Sequence, residues 1–391
     1  MAKHMMVRAQ PTALLTAREE IQQTREQVEE YFSSAKSRIL YGVDATYLDQ
    51  IERESIEVPF GLLKEFSRYY SKPVAYFFAK RPKRIELVSP ADDKRTYTSV
   101  ENRKGLLDRE TLLEVKHAKG VRSITAEYAP EFFADKRIER ITLDANIAEV
   151  AARYRQLFLR ENYAPANCKR YFEHLRSCIE DLGVLVIQSS LSKQDDIRGL
   201  TFTTEKPYLV IVNKNDGYDV SYAPRVFTIM HEFAHVLLRD DSLCDDDLKS
   251  KNNVEVFCNK FASNFLLPSA QVTQEYEQLA QSSNTSILEK IQILRDKFCV
   301  SFHAVTWKLK ELHFMDQDEA LALINRWEVS QRENFVMPHY NPPKPATSVK
   351  TAFGDKLPAQ LVRNDRMSPV EVSAILNVRL DHFGDIKRAF G

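Results

Sequence analysis

The sequence predicts an α+β, mostly helical fold in which a small antiparallel-rich sheet is set into a helical chain flanked by small helical modules. Three observations predict it. Glycine is scarce, 10 of 391 residues, while apolar stripes at helical spacing recur along the chain. Three short runs rich in Val, Ile, Phe and Thr, at 184–188, 199–203 and 208–213, break that pattern and are parted by polar turns. A hydrophobic fraction of 43%, with 16 tyrosines and 22 phenylalanines, is enough for real cores and excludes disorder throughout.

Residues 12–80 read as a helical domain. Ala13 to Phe32 is helix-prone with a break near Thr24. Asp44 stands where it can cap a helix whose Tyr47, Leu48 and Ile51 form an apolar stripe. Pro59 to Tyr70 gives the next helix, with Leu62, Leu63 and Phe66 inward, and Val74–Phe78 begins a short apolar turn. Residues 81–139 are charged and weakly periodic, a connector with one or two helices. The segment 140–315 opens with amphipathic helices at Ile141–Arg160 and Tyr171–Leu182, passes through the three strands, and returns to helices at Tyr222–Arg239, Val254–Leu267, Ile287–Phe298 and Phe302–Leu312. In 316–391, the stretch Met337 to Ala346 carries four prolines and reads as a linker, followed by a last helical module.

Lys+Arg and Asp+Glu balance at 55 each, which excludes a protein whose whole surface grips nucleic acid and leaves only local patches. No apolar run has the length of a membrane span, so no membrane partner is expected. The N-terminal stretch lacks the apolar core of a secretory signal. Five cysteines, odd in number and without a CxxC pair, fit a reducing cytoplasm.

The chemistry-bearing motif is His231-Glu232-Phe233-Ala234-His235, an HExxH inside the apolar stretch Val226–Leu238. On a helix the two histidines fall about 40° apart on one face, so both imidazoles reach one ion. Glu232 lies about 60° beyond them, close enough to a water on that ion but not placed to ligate it. Zinc hydrolases use the spacing for this reason. The bland alternative is a buried helix that happens to carry two histidines, yet two histidines and an acid turned inward need partners.

The third ligand is expected on another element, and Glu255 is the best candidate. Glu255, Asn259, Ala262 and Leu266 share one face of the following helix; the small Ala262 permits close approach, and Asn259 can orient a ligand from behind. The rivals Asp240, Asp241 and Asp245-Asp246-Asp247 read more simply as a solvated loop. Cys258 reads as a small core residue. His303, on a helix that Ser301 can cap, is a candidate oxyanion donor against the alternative of an ordinary, partly buried histidine. Arg225 reads as an anchor near the start of the HExxH helix or as a substrate clamp. One zinc ion per chain is expected, and the same donors suit manganese or iron(II). A substrate peptide is expected to add to the edge of the strand Tyr208–Asn213, ahead of the HExxH helix.

These residues resemble the ImmA/IrrE family of metallopeptidases, of the gluzincin type, over roughly 140–315. The likeness lies in Arg225–Met230 before HEFAH, in Glu255…Asn259-Lys260-Phe261-Ala262…Leu266-Leu267-Pro268 after it, in Val300-Ser301…Ala304, and in the strands Gly199–Thr203 and Val210–Asn213. The resemblance implies a zincin-like peptidase domain. It implies that His231, His235 and Glu255 bind zinc and that Glu232 is the general base. It further implies a bacterial or phage regulatory circuit in which a helix-turn-helix repressor is the substrate. Residues 12–78 are similar to a Cro/repressor-type helix-turn-helix, which implies DNA as a partner through residues 42–58. There Asp44, Asp49, Glu52, Glu54 and Glu57 are offset only by Arg53, the wrong sign for a helix beside phosphates. The competing expectations for that module are docking to a similar module in the substrate, or homodimerisation. The alternative for the whole chain is a non-catalytic DNA-binding regulator whose zinc site is structural or sensory.

Overall fold

The computed structural model describes residues 5–34, 41–80, 107–133, 136–159, 165–195, 197–215, 222–239, 248–281, 285–333 and 343–391. The fold is α+β and mostly helical, as the sequence predicts. The described residues divide into two compact units, the first ending at His117 and the second beginning at Ala118.

In the first unit, β1 (Met6–Arg8) pairs antiparallel with β2 (Glu57–Pro59), Val7 opposite Val58. Between them run α1 (Pro11–Glu20), α2 (Arg25–Ser34) and α3 (Ala45–Arg53), and α4 (Phe60–Tyr69) follows. The break expected near Thr24 is a left-handed residue, Gln22 at φ 51°, followed by a reciprocal cap in which Thr24 and Gln27 each bond the other's backbone N–H. Asp44 caps α3, its Oδ1 accepting from Tyr47 N–H at 2.7 Å. Ile21, Phe32, Ile51, Leu62, Phe66 and Phe77 share the core of this unit. The acidity of 44–57 is in part internal. Glu52 is buried and accepts from Arg18 Nε at 2.6 Å and Arg25 Nε at 2.9 Å, and Asp49 lies 3.0 Å from both Arg25 and Arg53.

The division between units falls within α5 (Arg109–Tyr128), the helix of the expected connector; residues 81–106 of that connector lie outside the described residues. The second unit continues with α6 (Ile147–Phe158), α7 (Cys168–Asp181), β3 (Val184–Ser189), β4 (Gly199–Phe202), β5 (Tyr208–Asn213), α8 (Ala223–Leu238), α9 (Leu248–Leu266), α10 (Ser269–Ala280), α11 (Ile287–Phe298), α12 (Phe302–Glu311) and α13 (Gln317–Glu333). Of the expected proline linker, Pro338 and Pro342 lie outside the described residues, and Pro345 opens α14 (Pro345–Phe353) in the first helical turn, where a missing N–H costs nothing. Three short helices follow: α15 (Lys356–Arg363), α16 (Pro369–Ile375) and α17 (Phe383–Phe390).

The three-stranded sheet has the order β3-β5-β4. β4 runs antiparallel to β5, with Thr201 opposite Val210. β3 runs parallel to β5, with Val186 opposite Val210, because the chain reverses twice between them. This corrects the expectation of an open edge at Tyr208–Asn213. That strand is the middle one, both its sides are paired, and its residues from Leu209 to Asn213 are buried. Alternation of side chains cannot reveal strand order, and a run buried on both faces reads the same at the edge as at the centre.

The helices after the linker pack onto the sheet end. Arg176 of α7 donates to the carbonyls of Lys350 and Thr351, at 3.1 and 3.0 Å, and Gln188 of β3 donates to Thr351 O at 2.7 Å. Lys350 O also accepts from the C-cap Gly354 N–H at 2.9 Å, so the last turn of α14 is held from both its own cap and α7. Beside Arg176, burial pushes the Glu180 carboxyl up to about 8 against the opposing pull of the guanidinium. Its folded-state pKa lies above the ordinary 4.5, so the stability it contributes is complete below that value and is lost as pH rises through about 8. Glu180→Gln should therefore flatten the decline of melting temperature between about pH 5 and pH 8 relative to wild type, as read by calorimetry. Parallel curves for the two proteins would refute it.

Candidate metal centre

α8 carries the HExxH through the middle of the second unit, packed against α7, α9, β4 and β5. Its sequence is apolar nearly all round, so the helix is buried and the polar residues of the motif come inside with it: His231, Glu232 and His235 are 1%, 3% and 2% exposed. Ile229, Met230, Phe233, Ala234 and Leu237 fill the surrounding core. α9 lies alongside, and Ala262, buried and without bulk, stands at the approach.

The two imidazoles face each other, Nε2 to Nε2, at 3.1 Å. Glu255 reaches them from α9, with Oε2 3.4 Å from His231 Nε2 and Oε1 3.3 Å from His235 Nε2. Asn259, one turn further on, accepts from His231 Nδ1 at 3.1 Å. Its Oδ1 is purely an acceptor, so Nδ1 carries the proton and Nε2 turns a lone pair to the centre of the group. The imidazole nitrogens thus stand 3.1 Å apart, and each has its own carboxylate oxygen of Glu255, at 3.4 Å and 3.3 Å. In a tetrahedron with metal–ligand bonds of about 2.0–2.1 Å, neighbouring ligands are about 3.3 Å apart. The donors are spaced as such an ion requires.

The electrostatics agree. Burial pulls His235 down, yet Cys258, Glu255 and Glu232 outweigh it and hold the imidazole well above its ordinary value. Burial pushes Glu255 up, yet hydrogen bonds from the two imidazoles outweigh it and hold the carboxylate well below the usual range. Both shifts reflect the pairing of the imidazoles with the carboxylate.

Cys258 is buried, as a core residue would be, but it also belongs to the donor group. One ligating atom each from His231, His235 and Cys258 lies within 4.8 Å of the others. Burial raises its thiol above the ordinary value. Asp240, Asp241 and Asp245–Asp247 lie outside the described residues.

Glu232 points toward β4. Thr201 Oγ1 donates to its Oε2 at 2.8 Å and to its backbone carbonyl at 3.2 Å. Gly199 makes the room, since a Cβ there would stand 2.5 Å from Oε1 and 2.7 Å from Cδ and Cγ. Gly199→Ala is expected to destabilise the protein by about 1–3 kcal/mol in urea unfolding, because Glu232 is buried and tied to Thr201 and has little room to yield. An unchanged midpoint would show that the carboxylate moves freely. The carboxylate's support by Thr201 and Gly199 was invisible in the sequence, where they stand 31 and 33 positions before Glu232; the one signal was a glycine opening an apolar strand.

The remaining candidates lie elsewhere. Arg225 is six residues before His231, about 9 Å along the helix axis. It donates to Gln188 Oε1 at 3.3 Å and Lys214 O at 2.7 Å and stacks over Tyr222, so it anchors the start of α8 to the strand ends. His303 is presented by α12, which Ser301 caps through Ala304 N–H, but its Nε2 faces Glu328 of α13 at 3.1 Å with the side chain 41% exposed. The structure brings neither residue to the imidazoles.

Residues 179–310, about a third of the chain, match the model of a peptidase family, the IrrE N-terminal-like domain. The match spans β4, α8, α9 and the whole donor group, and it supports a metallopeptidase of the ImmA/IrrE type for this segment. No curated protein matches the chain. Among the described residues, no helix is long and apolar enough to cross a membrane.

Proposed function

We propose that the chain is a zinc-dependent endopeptidase that cleaves a regulatory protein, a helix-turn-helix repressor. The observation that carries the enzymatic reading is the convergence of His231, His235 and Glu255 within 3.1–3.4 Å, with a second carboxylate, Glu232, beside them and not among them. The three residues would hold the ion, which when bound polarises a peptide carbonyl and acidifies a water. The protein's own groups do the rest. Glu232 takes a proton from the attacking water and gives it to the departing amine. Thr201 donates to Oε2, which fixes the carboxylate in place for that transfer. β4 ends the sheet on this side among the described residues, and a substrate backbone paired to it would lie extended past Glu232. Asn259 keeps the His231 lone pair aimed inward.

Asn259→Ala should weaken zinc binding about 10–100-fold, measured by competition with a chromogenic chelator, with the fold intact. Unaltered affinity would show that His231 needs no orienting partner. The proposed activity is tested by incubating a proteome-derived peptide library with zinc-loaded wild type and with Glu232→Gln, then mapping fragments by mass. New cuts with wild type alone are expected; identical patterns from the two proteins overturn the proposal. The repressor assignment is tested separately by co-expression with a helix-turn-helix repressor encoded beside the gene. Two defined fragments with wild type, and an intact repressor with Glu232→Gln, are the expected result; an intact repressor with both removes it as the substrate.

A further inference from the structure

At the C-terminal end of α8, just beyond the metal centre, the second unit holds a cavity of about 260 Å³. Four stretches of chain meet there: residues 136–138, the turn at Gly183 between α7 and β3, the turn at Lys206 before β5, and Arg239, which closes α8. The lining brings together four cations, Lys136, Arg137, Lys206 and Arg239, and no acid among the described residues. None of the four has a carboxylate partner among the described residues. Like charges gathered in one concave place draw in an anion. We propose that this cavity binds a small phosphomonoester, with its phosphate among the four cations.

The backbone is shaped for the site. Arg239 takes the left-handed region, φ 44°, which turns its side chain back over the sheet end. There its Nη2 donates to Ile138 O, and the guanidinium lies over the Tyr208 ring, 5.9 Å from the centroid. Its Nε has no acceptor among the described residues, so the fork is held on one side and left short of partners on the other. Gly183, at φ 84°, closes the floor. A Cβ there would stand 2.9 Å from Lys136 Cβ and 3.1 Å from Phe133 Cα, so the chain at 133–136 can lie against this turn only over a glycine. Charge selects the ligand. A phosphomonoester carries about −1.5 to −2 near neutral pH and three acceptor oxygens, whereas one carboxylate would leave most of the cations unmatched. Two guanidinium forks and two ammonium groups suit those oxygens. α8 ends here with about half a negative charge, which four cations outweigh. Phe133, Leu182 and Tyr208 form apolar walls beside the charged groups, and they fit a carbon body. That body is short, because the cavity is smaller than the roughly 300–1,000 Å³ of sites for drug-sized ligands.

The test titrates the full-length, zinc-loaded protein by calorimetry at low salt with glycerol 3-phosphate, inorganic phosphate and succinate, each alone. Glycerol 3-phosphate should saturate one site per chain, with a Kd below about 1 mM. Inorganic phosphate should bind more weakly, since it leaves the apolar walls uncovered, and succinate more weakly still. Lys136→Gln combined with Lys206→Gln changes two exposed side chains, so the melting temperature should hold while affinity falls by about tenfold or more. Arg239→Gln should weaken binding at least as much and also lower the melting temperature, because it releases Ile138 O. The absence of a saturable heat overturns the proposal, and so does inorganic phosphate or succinate binding as tightly as the ester. Affinity unchanged in the double variant overturns it as well, and is the result expected of a phosphate bound at the zinc ion. The readout needs no peptidase activity, so it stands or falls apart from the proposed function.

Discussion

Glu232→Gln is expected to abolish cleavage while the protein keeps its fold and its metal. Glutamine has the same shape, and its amide oxygen can accept the Thr201 hydrogen bond that the carboxylate accepts at 2.8 Å. What disappears is the ability to take up a proton. General-base catalysis of this kind is worth about 10²–10⁴ in rate, so kcat/KM should fall by that factor at least. Three measurements separate the possibilities. Metal content and melting temperature should match wild type, and the rate alone should fall. A variant that cuts at the normal rate would remove Glu232 from the chemistry and leave the imidazole–carboxylate cluster as a structural or sensory centre.

His235→Ala is the second large effect, and here the metal itself is lost. The ring supplies one of three donors and also the partner that stands 3.3 Å from Glu255 Oε1. Without it, two donors remain and a half-buried carboxylate stands opposite a void. Zinc measured after gel filtration should fall from about one per chain toward zero. The half-buried Glu255 also loses a partner, which adds destabilisation of about 1 kcal/mol, visible even in metal-free protein. Full occupancy in the variant would mean that the ion sits elsewhere, with Cys258 the nearest further donor.

The helical half of the site was legible in the sequence because helices write their geometry into spacing. A separation of four places His231 and His235 together whatever surrounds them, and the face shared by Glu255, Asn259 and Ala262 follows from the same period. The sheet was not legible in the same way. Val184–Ser189 and Tyr208–Asn213 read alike as apolar runs, and only the order β3-β5-β4 tells which lies at the edge. That order brings Gly199 and Thr201 against Glu232, a long-range contact that no local pattern announces. Charge was misleading for a related reason. Glu52 counted as part of an acidic surface, but it is buried between Arg18 and Arg25, residues from two other helices.

The hydrogen bonds that reach outside 179–310 decide how small a working fragment can be. Arg155 donates to Phe265 O at 2.6 Å and Ile141 N–H to Leu237 O at 3.0 Å from one side, while Gln188 donates to Thr351 O at 2.7 Å on the other. A fragment cut to the recognised segment would begin inside α7, lose Arg176 and its partners together, and strip the outer layer from α8 and α9. Such a piece would be a poor subject for crystallography or assay, and a soluble truncation should keep at least residues 141–363.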